Sequence, residues 1–274
     1  MIAADIHYLR PDTAEEAVDA WRRLDGARYL AGGTEIATAA RRTAAIDLRA
    51  CIDVKRIPEA NVHEIRGTCF RIGAALTLSD VVAGDAFPLL NAVLRGIADR
   101  TVRNRLTLGG NLAGLLPYRE AALPLLLADA TVLTLAPGPG DAPPVRQERP
   151  LRAIFDKRLV LAPGELVLSF CVPLDASEWP WSHYRRTRTG EVDYPLATVA
   201  MVRAGAGIRF AVSGVHPYPF RADAIDAALT RDGADAVPAV LDALGPLRAD
   251  ARASVDYRVA LLKNMIRAGL EDLA

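Results

Sequence analysis

Two glycine pairs are the residues of this sequence whose type and surroundings are best suited to binding an anion. The first pair lies in Leu30-Ala31-Gly32-Gly33-Thr34-Glu35 and the second in Thr107-Leu108-Gly109-Gly110-Asn111-Leu112. Glycine lets the backbone approach an anion closely, and successive N–H groups at a helix N-terminus donate to phosphate oxygens. Thr34, Thr107 and Asn111 add side-chain donors. One such pair alone is more often a simple tight turn, but two pairs with these flanking residues favour a diphosphate site.

Neither pair belongs to a common nucleotide motif. Neither reads GxGxxG, the dinucleotide-binding pattern of a Rossmann fold. No lysine closes either turn as in a P-loop. A nicotinamide site of the usual kind is therefore disfavoured.

Other catalytic or metal chemistry is not indicated. The sequence shows no Ser-His-Asp, Cys-His or paired-carboxylate arrangement that would support acid–base or nucleophilic catalysis. The four histidines are scattered along the chain: His7, His63, His183 and His216. No HxxxH or HxxE pattern links them, so no metal site is expected.

The cysteines likewise do not indicate a metal site or a disulfide framework. They are odd in number, widely separated and without CxxC spacing: Cys51, Cys69 and Cys171. This pattern predicts a reducing compartment and structural thiols, and argues against a disulfide framework. It also leaves the chain without the four thiolates of an ordinary iron–sulfur cluster.

Composition excludes several other classes of protein. Of the 274 residues, 51% are hydrophobic and 24% charged, which is ordinary for a globular chain and unlike a disordered one. The apolar run Leu123–Leu127 is far shorter than a membrane span. The formal net charge of zero gives no global attraction to nucleic acid or anionic lipid. Asp5 and His7 stand where a signal peptide would be basic and then apolar, so a cytoplasmic protein is expected.

The first glycine pair is predicted to follow a strand and to precede a helix. A strand over Ile6–Leu9 leads to a helix with Thr13 as N-cap and Glu16 completing a capping box. A strand over Arg28–Leu30 then ends at the glycines, and a helix runs over Thr34–Arg42.

The second glycine pair is also predicted to follow a strand-like segment. Before it come a strand at 46–48 with its connection around Val54, a hairpin of 62–66 with 70–72, a helix from Leu78 and a helix over 91–100. After it come a helix over 121–129, a strand over 130–135, an exposed Pro- and Gly-rich connection over 137–150, and a strand over 165–172.

The last third of the sequence predicts a smaller domain. Strands over 197–203 and 208–215 are joined by a glycine-bearing turn, and alanine-rich helices follow from Arg221. The fold class is therefore α+β.

These residues carry a family resemblance. The string 102–112 (VRNRLTLGGNL), with Pro117 and Glu120, resembles the second FAD-binding signature of the medium, flavoprotein subunits of molybdenum hydroxylases of the xanthine dehydrogenase and carbon monoxide dehydrogenase type. The turn 31–35 resembles their first signature, and 158–173 (RLVLAPGELVLSFCVP) resembles the end of their FAD domain. Residues 213–222 and 253–258 resemble their C-terminal domain, so the similarity runs in order over nearly the whole chain.

The resemblance implies a domain organisation. It implies a two-subdomain FAD-binding domain of the PCMH type over 1–175, with subdomains 1–57 and 58–175. A small C-terminal domain of antiparallel sheet plus helices would follow over 176–274. Both glycine pairs would then converge on the FAD diphosphate.

The resemblance also implies a set of cofactor-binding residues. They are Leu30, Ala31, Gly32, Gly33, Thr34, Glu35, Ile97, Thr107, Gly109, Gly110, Asn111, Glu120, Leu161 and Arg185. Glu120 stands where the family usually has an aspartate that contacts the cofactor's sugar region, and Glu35 is likewise commonly aspartate. Ile97 and Leu161 match positions near the ring systems, with core packing as the alternative. Arg185 matches a basic residue near the cofactor, with a solvated charge as the alternative.

The activity implied is that of an electron relay. Electrons would pass from a molybdopterin centre in a large subunit, through 2Fe-2S clusters of a small subunit, to the FAD of this chain and on to NAD+ or another acceptor in a heterotrimer. Two alternatives remain at this point: a scaffold paralogue that binds FAD weakly or not at all, and a stand-alone flavin reductase or oxidase.

Overall fold

A computed structural model describes residues 6–42, 48–190 and 192–274. Its chain divides into two compact units, one of Met1–Gly84, Arg100–Leu115 and Ala130–Val172, the other of Asp85–Asp99, Leu116–Asp129 and Pro173–Ala274. The predicted domain boundaries at residues 57 and 175 stay predictions. Asp5 and Ile46, which the sequence analysis also named, lie outside the described residues.

Helices and strands are interspersed along the chain. The strands are β1 His7–Leu9, β2 Ala27–Leu30, β3 Ala50–Asp53, β4 His63–Arg66, β5 Cys69–Gly73, β6 Thr131–Ala136, β7 Val145–Pro150, β8 Phe155–Asp156, β9 Arg158–Leu159, β10 Leu166–Pro173, β11 Trp181–Thr187, β12 Pro195–Ala204 and β13 Gly207–Ser213. The helices are α1 Ala14–Arg23, α2 Thr34–Arg42, α3 Leu78–Gly84, α4 Pro88–Arg95, α5 Arg100–Arg103, α6 Leu108–Ala113, α7 Ala122–Leu127, α8 Leu151–Ile154, α9 Asp223–Asp232, α10 Val237–Leu244 and α11 Val255–Asp272. The mixture confirms the α+β class.

A small parallel sheet in the first unit positions the first glycine pair. Its strand order is β1-β3-β2, and Leu30 at the end of β2 pairs with Asp53 at the end of β3. The capping box of Thr13 and Glu16 is present and begins α1, whose buried Ala17 and Val18 share a core with Ile52. Because the strands are parallel, the residues that follow β2 and β3 emerge at the same edge of the sheet.

The first unit also contains a five-stranded sheet of order β4-β5-β10-β6-β7. The predicted hairpin of β4 and β5 is confirmed, with His63 paired to Ile72 and Arg66 to Cys69. The predicted connection between strands over 137–150 is wrong in its second half, since β7 pairs along β6 as an edge strand. Its charged residues, such as Arg146 and Glu148, hid the strand from the hydrophobic pattern because an edge strand needs little apolar surface.

The prediction against a disulfide is wrong. Cys69 of β5 and Cys171 of β10 are joined, with Cα atoms 5.6 Å apart, while Cys51 is free and buried. The two residues are 102 positions apart in sequence, yet their strands are neighbours in the sheet. Cross-strand adjacency of this kind cannot be inferred from the spacing of the cysteines alone.

The second unit contains an antiparallel sheet of order β11-β12-β13 covered by helices. Its core joins Met201 and Phe210 of the sheet to Leu262 and Ile266 of α11. This confirms the predicted sheet and helices after residue 176, although β11 was not predicted.

The predicted helix over 91–100 is wrong after Arg95: α4 ends there, and Ala98 adopts a φ of 51°, which a helix cannot contain.

Among the described residues, the structure contains no helix long and apolar enough to cross a membrane.

Candidate cofactor-binding site

The first glycine pair presents backbone donors at the start of a helix. Gly33 adopts a φ of 68°, which glycine tolerates, and α2 begins at the next residue. The first bond into α2 runs from the Ala37 N–H to the Gly33 oxygen, 2.9 Å. Within the described parts of the chain, the N–H groups of Gly32, Gly33 and Thr34 have no hydrogen-bond partner. Unpaired donors at a helix N-terminus, where the helix dipole is positive, suit a phosphate.

The second glycine pair differs from its prediction. It follows no strand but lies in the first turn of α6, where the Thr107 side chain is the N-cap and accepts the Gly110 N–H at 3.2 Å. The N–H groups of Leu108 and Gly109 donate to the Leu76 and Ala74 carbonyls at 3.0 and 2.8 Å. The donors of this segment are therefore engaged within the chain.

Within the second pair the two glycines have different surroundings. Gly109 is buried, and a Cβ there would lie 2.7 Å from the Cβ of Ala74, so its lack of a side chain serves packing. Gly110 is exposed and offers a bare backbone surface. Of the predicted residues here, Gly110 and Asn111 are thus better placed for a ligand than Gly109 and the buried Thr107.

The two glycine segments lie against each other. A Cβ on Gly32 would stand 2.1 Å from the Arg105 carbonyl oxygen and 3.4 Å from the Thr107 nitrogen, so only glycine permits this approach. The Glu35 carboxylate accepts the Leu115 N–H at 2.7 Å and lies beside Gly114. The structure therefore places the first glycine segment against the residues that begin the second, as the family resemblance implied. Glu35 adds a contact to the backbone that follows α6.

An ion pair at the end of β3 was missed by sequence reasoning. The Lys55 Nζ lies 3.1 Å from the Ala31 oxygen and 2.8 Å from Asp53 Oδ2, and Tyr8 also donates to Asp53. Burial raises the pKa of Asp53, but the hydrogen bonds from Lys55 and Tyr8 outweigh it and hold the pKa below its usual range. The only sequence signal is an acidic and a basic residue just after a predicted strand, which is too common to single out.

Leu161 also belongs to the first unit. It is half-buried and follows β9, which contacts α6. Its predicted place near the ring system remains a prediction.

Three other predicted residues belong to the second unit. Glu120 is buried there, and its Oε1 accepts from Arg185 Nε at 2.9 Å and from the Thr198 hydroxyl at 2.7 Å. Burial raises the pKa of Glu120, and the two partners offset this only in part. Arg185 is thus held by a buried carboxylate instead of being a solvated charge, while Ile97 is a core residue, 8% exposed.

The residues of the first unit fit a dinucleotide diphosphate. Three unpaired N–H groups stand at the N-terminus of α2, and two glycines, Gly32 and Gly110, keep the adjoining surface free of side chains. The fold and this site together define a protein class, an α+β fold in which parallel strand ends and paired glycine segments form a site that fits a nucleotide diphosphate.

Comparison with known proteins gives the particular family. Residues 4–175 match the family model described as the FAD binding domain in molybdopterin dehydrogenase, and the chain belongs to that family. The carbon monoxide dehydrogenase medium chain of Hydrogenophaga pseudoflava is 28% identical over 98% of this chain and 97% of its own. The nicotine 6-hydroxylase medium subunit of Paenarthrobacter nicotinovorans is 27% identical over 96% of this chain and 95% of its own.

Solved structures agree with this membership. A chain of carbon monoxide dehydrogenase from Hydrogenophaga pseudoflava, in a form lacking the Mo-pyranopterin moiety, superposes with a TM-score of 0.85 at 28% identity. The match covers 100% of this chain and 98% of the other. A chain of quinoline 2-oxidoreductase from Pseudomonas putida shares the fold, with a TM-score of 0.80 over 98% of this chain and 97% of its own, at 23% identity.

Proposed function

We propose that this chain binds one FAD with its diphosphate at the N-terminus of α2. The observation that carries the proposal is the set of three unpaired N–H groups at Gly32, Gly33 and Thr34 beside a second glycine segment. We also propose cofactor contacts for Leu161 in the first unit and for Ile97 and Arg185 in the second, with Glu120 acting through Arg185 because its carboxylate is buried against that residue.

The chain's own residues bind and orient the cofactor. FAD, when bound, supplies the electron-transfer chemistry, and the protein supplies placement and electrostatics. The N–H groups at the start of α2 offset the diphosphate charge, and Gly110 leaves room for close approach. Arg185 brings a positive charge whose direction is fixed by Glu120 and by the Asp193 carbonyl, 2.6 Å from it.

We further propose that the chain is the flavoprotein subunit of a molybdenum-containing dehydrogenase. Its full-length relatives are medium chains or medium subunits of oxidoreductases, which supports a complex with a large molybdopterin-binding subunit and a small 2Fe-2S subunit. In such a cytoplasmic heterotrimer the FAD of this chain would receive electrons from the 2Fe-2S clusters and pass them to NAD+ or another acceptor.

The scaffold alternative loses its motivation in this structure. It rested on glutamates at positions 35 and 120, yet Glu35 accepts the Leu115 N–H just after α6 and Glu120 holds Arg185. Both glutamates, which are longer than the aspartates common in the family, have defined hydrogen-bond partners, as residues of a site that binds FAD should.

The proposed assembly is tested by purifying the tagged chain from its own cells under native conditions. Molybdenum and iron should co-purify in a fixed ratio to FAD through gel filtration, and the flavin absorbance should bleach when the complex is reduced through its partners. FAD-containing chain that elutes alone, free of both metals, would contradict the heterotrimer.

A further inference from the structure

The Ala31–Gly32 peptide bond is held in place by a side chain that lies outside both glycine segments. Lys55 follows β3 by two residues, and Ala31 follows β2 by one. Because Leu30 pairs with Asp53 in the parallel register, the residues that follow β2 and those that follow β3 lie side by side. The Lys55 Nζ reaches the Ala31 carbonyl oxygen at 3.1 Å across this gap.

The side chain of Lys55 is itself held by a buried carboxylate, that of Asp53. Asp53 is the last residue of β3 and is 3% exposed. It accepts the Lys55 backbone N–H at 3.0 Å, the Lys55 Nζ at 2.8 Å and the Tyr8 hydroxyl. The hydrogen bonds that favour its ionised form hold the pKa of Asp53 low, so its carboxylate is ionised at neutral pH.

The geometry of a trans peptide connects this contact to the cofactor site. The C=O and N–H of one trans unit point in opposite directions, so fixing the Ala31 oxygen toward Lys55 directs the Gly32 N–H to the opposite side. A peptide unit that precedes glycine can rotate as a whole with little steric cost, because glycine tolerates both signs of φ. Without an anchor, the Gly32 donor would be free to turn away.

We propose that Lys55, held by Asp53, is a positioning residue that keeps the Ala31–Gly32 peptide in the orientation that presents the Gly32 N–H to the diphosphate. This inference rests on the proposed function. Lys55 acts on the side of the peptide away from the donor, so it orients the binding surface without itself being a phosphate ligand.

The test compares FAD affinity in Lys55→Met with the wild type and with two controls. Lys55→Arg retains a cation that can reach the Ala31 carbonyl, and Arg56→Met removes the adjacent exposed charge, which pairs with Asp12 at 2.7 Å instead of with the turn. If the anchored peptide falls to about a tenth of the population, the apparent Kd for FAD rises roughly tenfold. We expect that loss in Lys55→Met, recovery to within about threefold in Lys55→Arg, and no change in Arg56→Met.

A spectroscopic readout separates orientation from simple loss of charge or of folding. In FAD-free protein labelled with ¹⁵N-glycine, the Gly32 amide resonance should move or double in Lys55→Met, while the resonances of distant glycines such as Gly205 stay unchanged and show that the chain is folded. Equal FAD affinity in Lys55→Met and wild type would overturn the inference, as would an equal loss in Arg56→Met. A wild-type chain that binds no FAD at all would instead contradict the proposed function.

Discussion

Gly110 is the residue at which cofactor binding and folding are most easily separated. It is exposed, and a Cβ there would lie 2.7 Å from the Thr107 hydroxyl, which can rotate away at the cost of the helix cap. A lost N-cap costs about 1 kcal/mol. Gly110→Val should therefore remain folded while losing most of its FAD, as measured by flavin absorbance per chain and by thermal unfolding.

Gly190→Val is the matched control for that substitution. Nothing lies within 4 Å of a Cβ at Gly190, and its φ is not positive. It should keep both its FAD and its thermal midpoint. Full flavin occupancy in Gly110→Val would remove Gly110 from the proposed site. Gly32 would be a poorer probe, because a Cβ there meets the Arg105 backbone and the chain would lose stability as well.

Asp53 should make stability depend on pH in the acid range. Its pKa in the folded chain lies below the usual value of about 3.9, so it contributes stability that is complete above that value. The contribution is lost as the pH falls through the folded pKa. The difference in unfolding free energy between wild type and Asp53→Asn should be largest near neutral pH and shrink below about pH 4. Parallel stability curves from pH 3 to pH 7 would contradict this role.

At the scale of secondary-structure elements, the pairing of β5 with β10 carries a testable cross-link. Non-reducing peptide mapping should recover Cys69 joined to Cys171 and leave Cys51 as a free thiol. Closing a loop of about 100 residues stabilises a chain by about 3–5 kcal/mol in the loop-entropy model. Cys69→Ser should thus lower the unfolding free energy by an amount of that order, and dithiothreitol should do the same to wild type but not to the variant. A map with three free thiols would show the cross-link absent in solution.

Local signals explain which elements the sequence predicts well. The capping box of Thr13 and Glu16 and the β4–β5 hairpin depend on residues a few positions apart, so their patterns are visible in the sequence. The start of α2 after Gly33 is similarly local. The edge strand β7 was missed because its side chains are charged, and the second glycine pair was assigned to a turn because its helix, α6, has only 6 residues.

Contacts between distant residues could not be predicted in this way. The family resemblance implied cofactor contacts at Glu35, Glu120 and Arg185. It did not indicate that Glu35 accepts the Leu115 N–H or that Glu120 is buried against Arg185. Nor did it identify Lys55, whose role depends on the register of β2 with β3. These partners are set by sheet topology and packing, which single-sequence patterns do not contain.

At the scale of the whole molecule, the central claim is that this chain is a flavoprotein. The most direct test is a visible absorption spectrum of the purified chain, followed by identification of the cofactor released on heat denaturation. The account predicts flavin absorption bands and one FAD per chain. A colourless chain that also takes up no added FAD would contradict it.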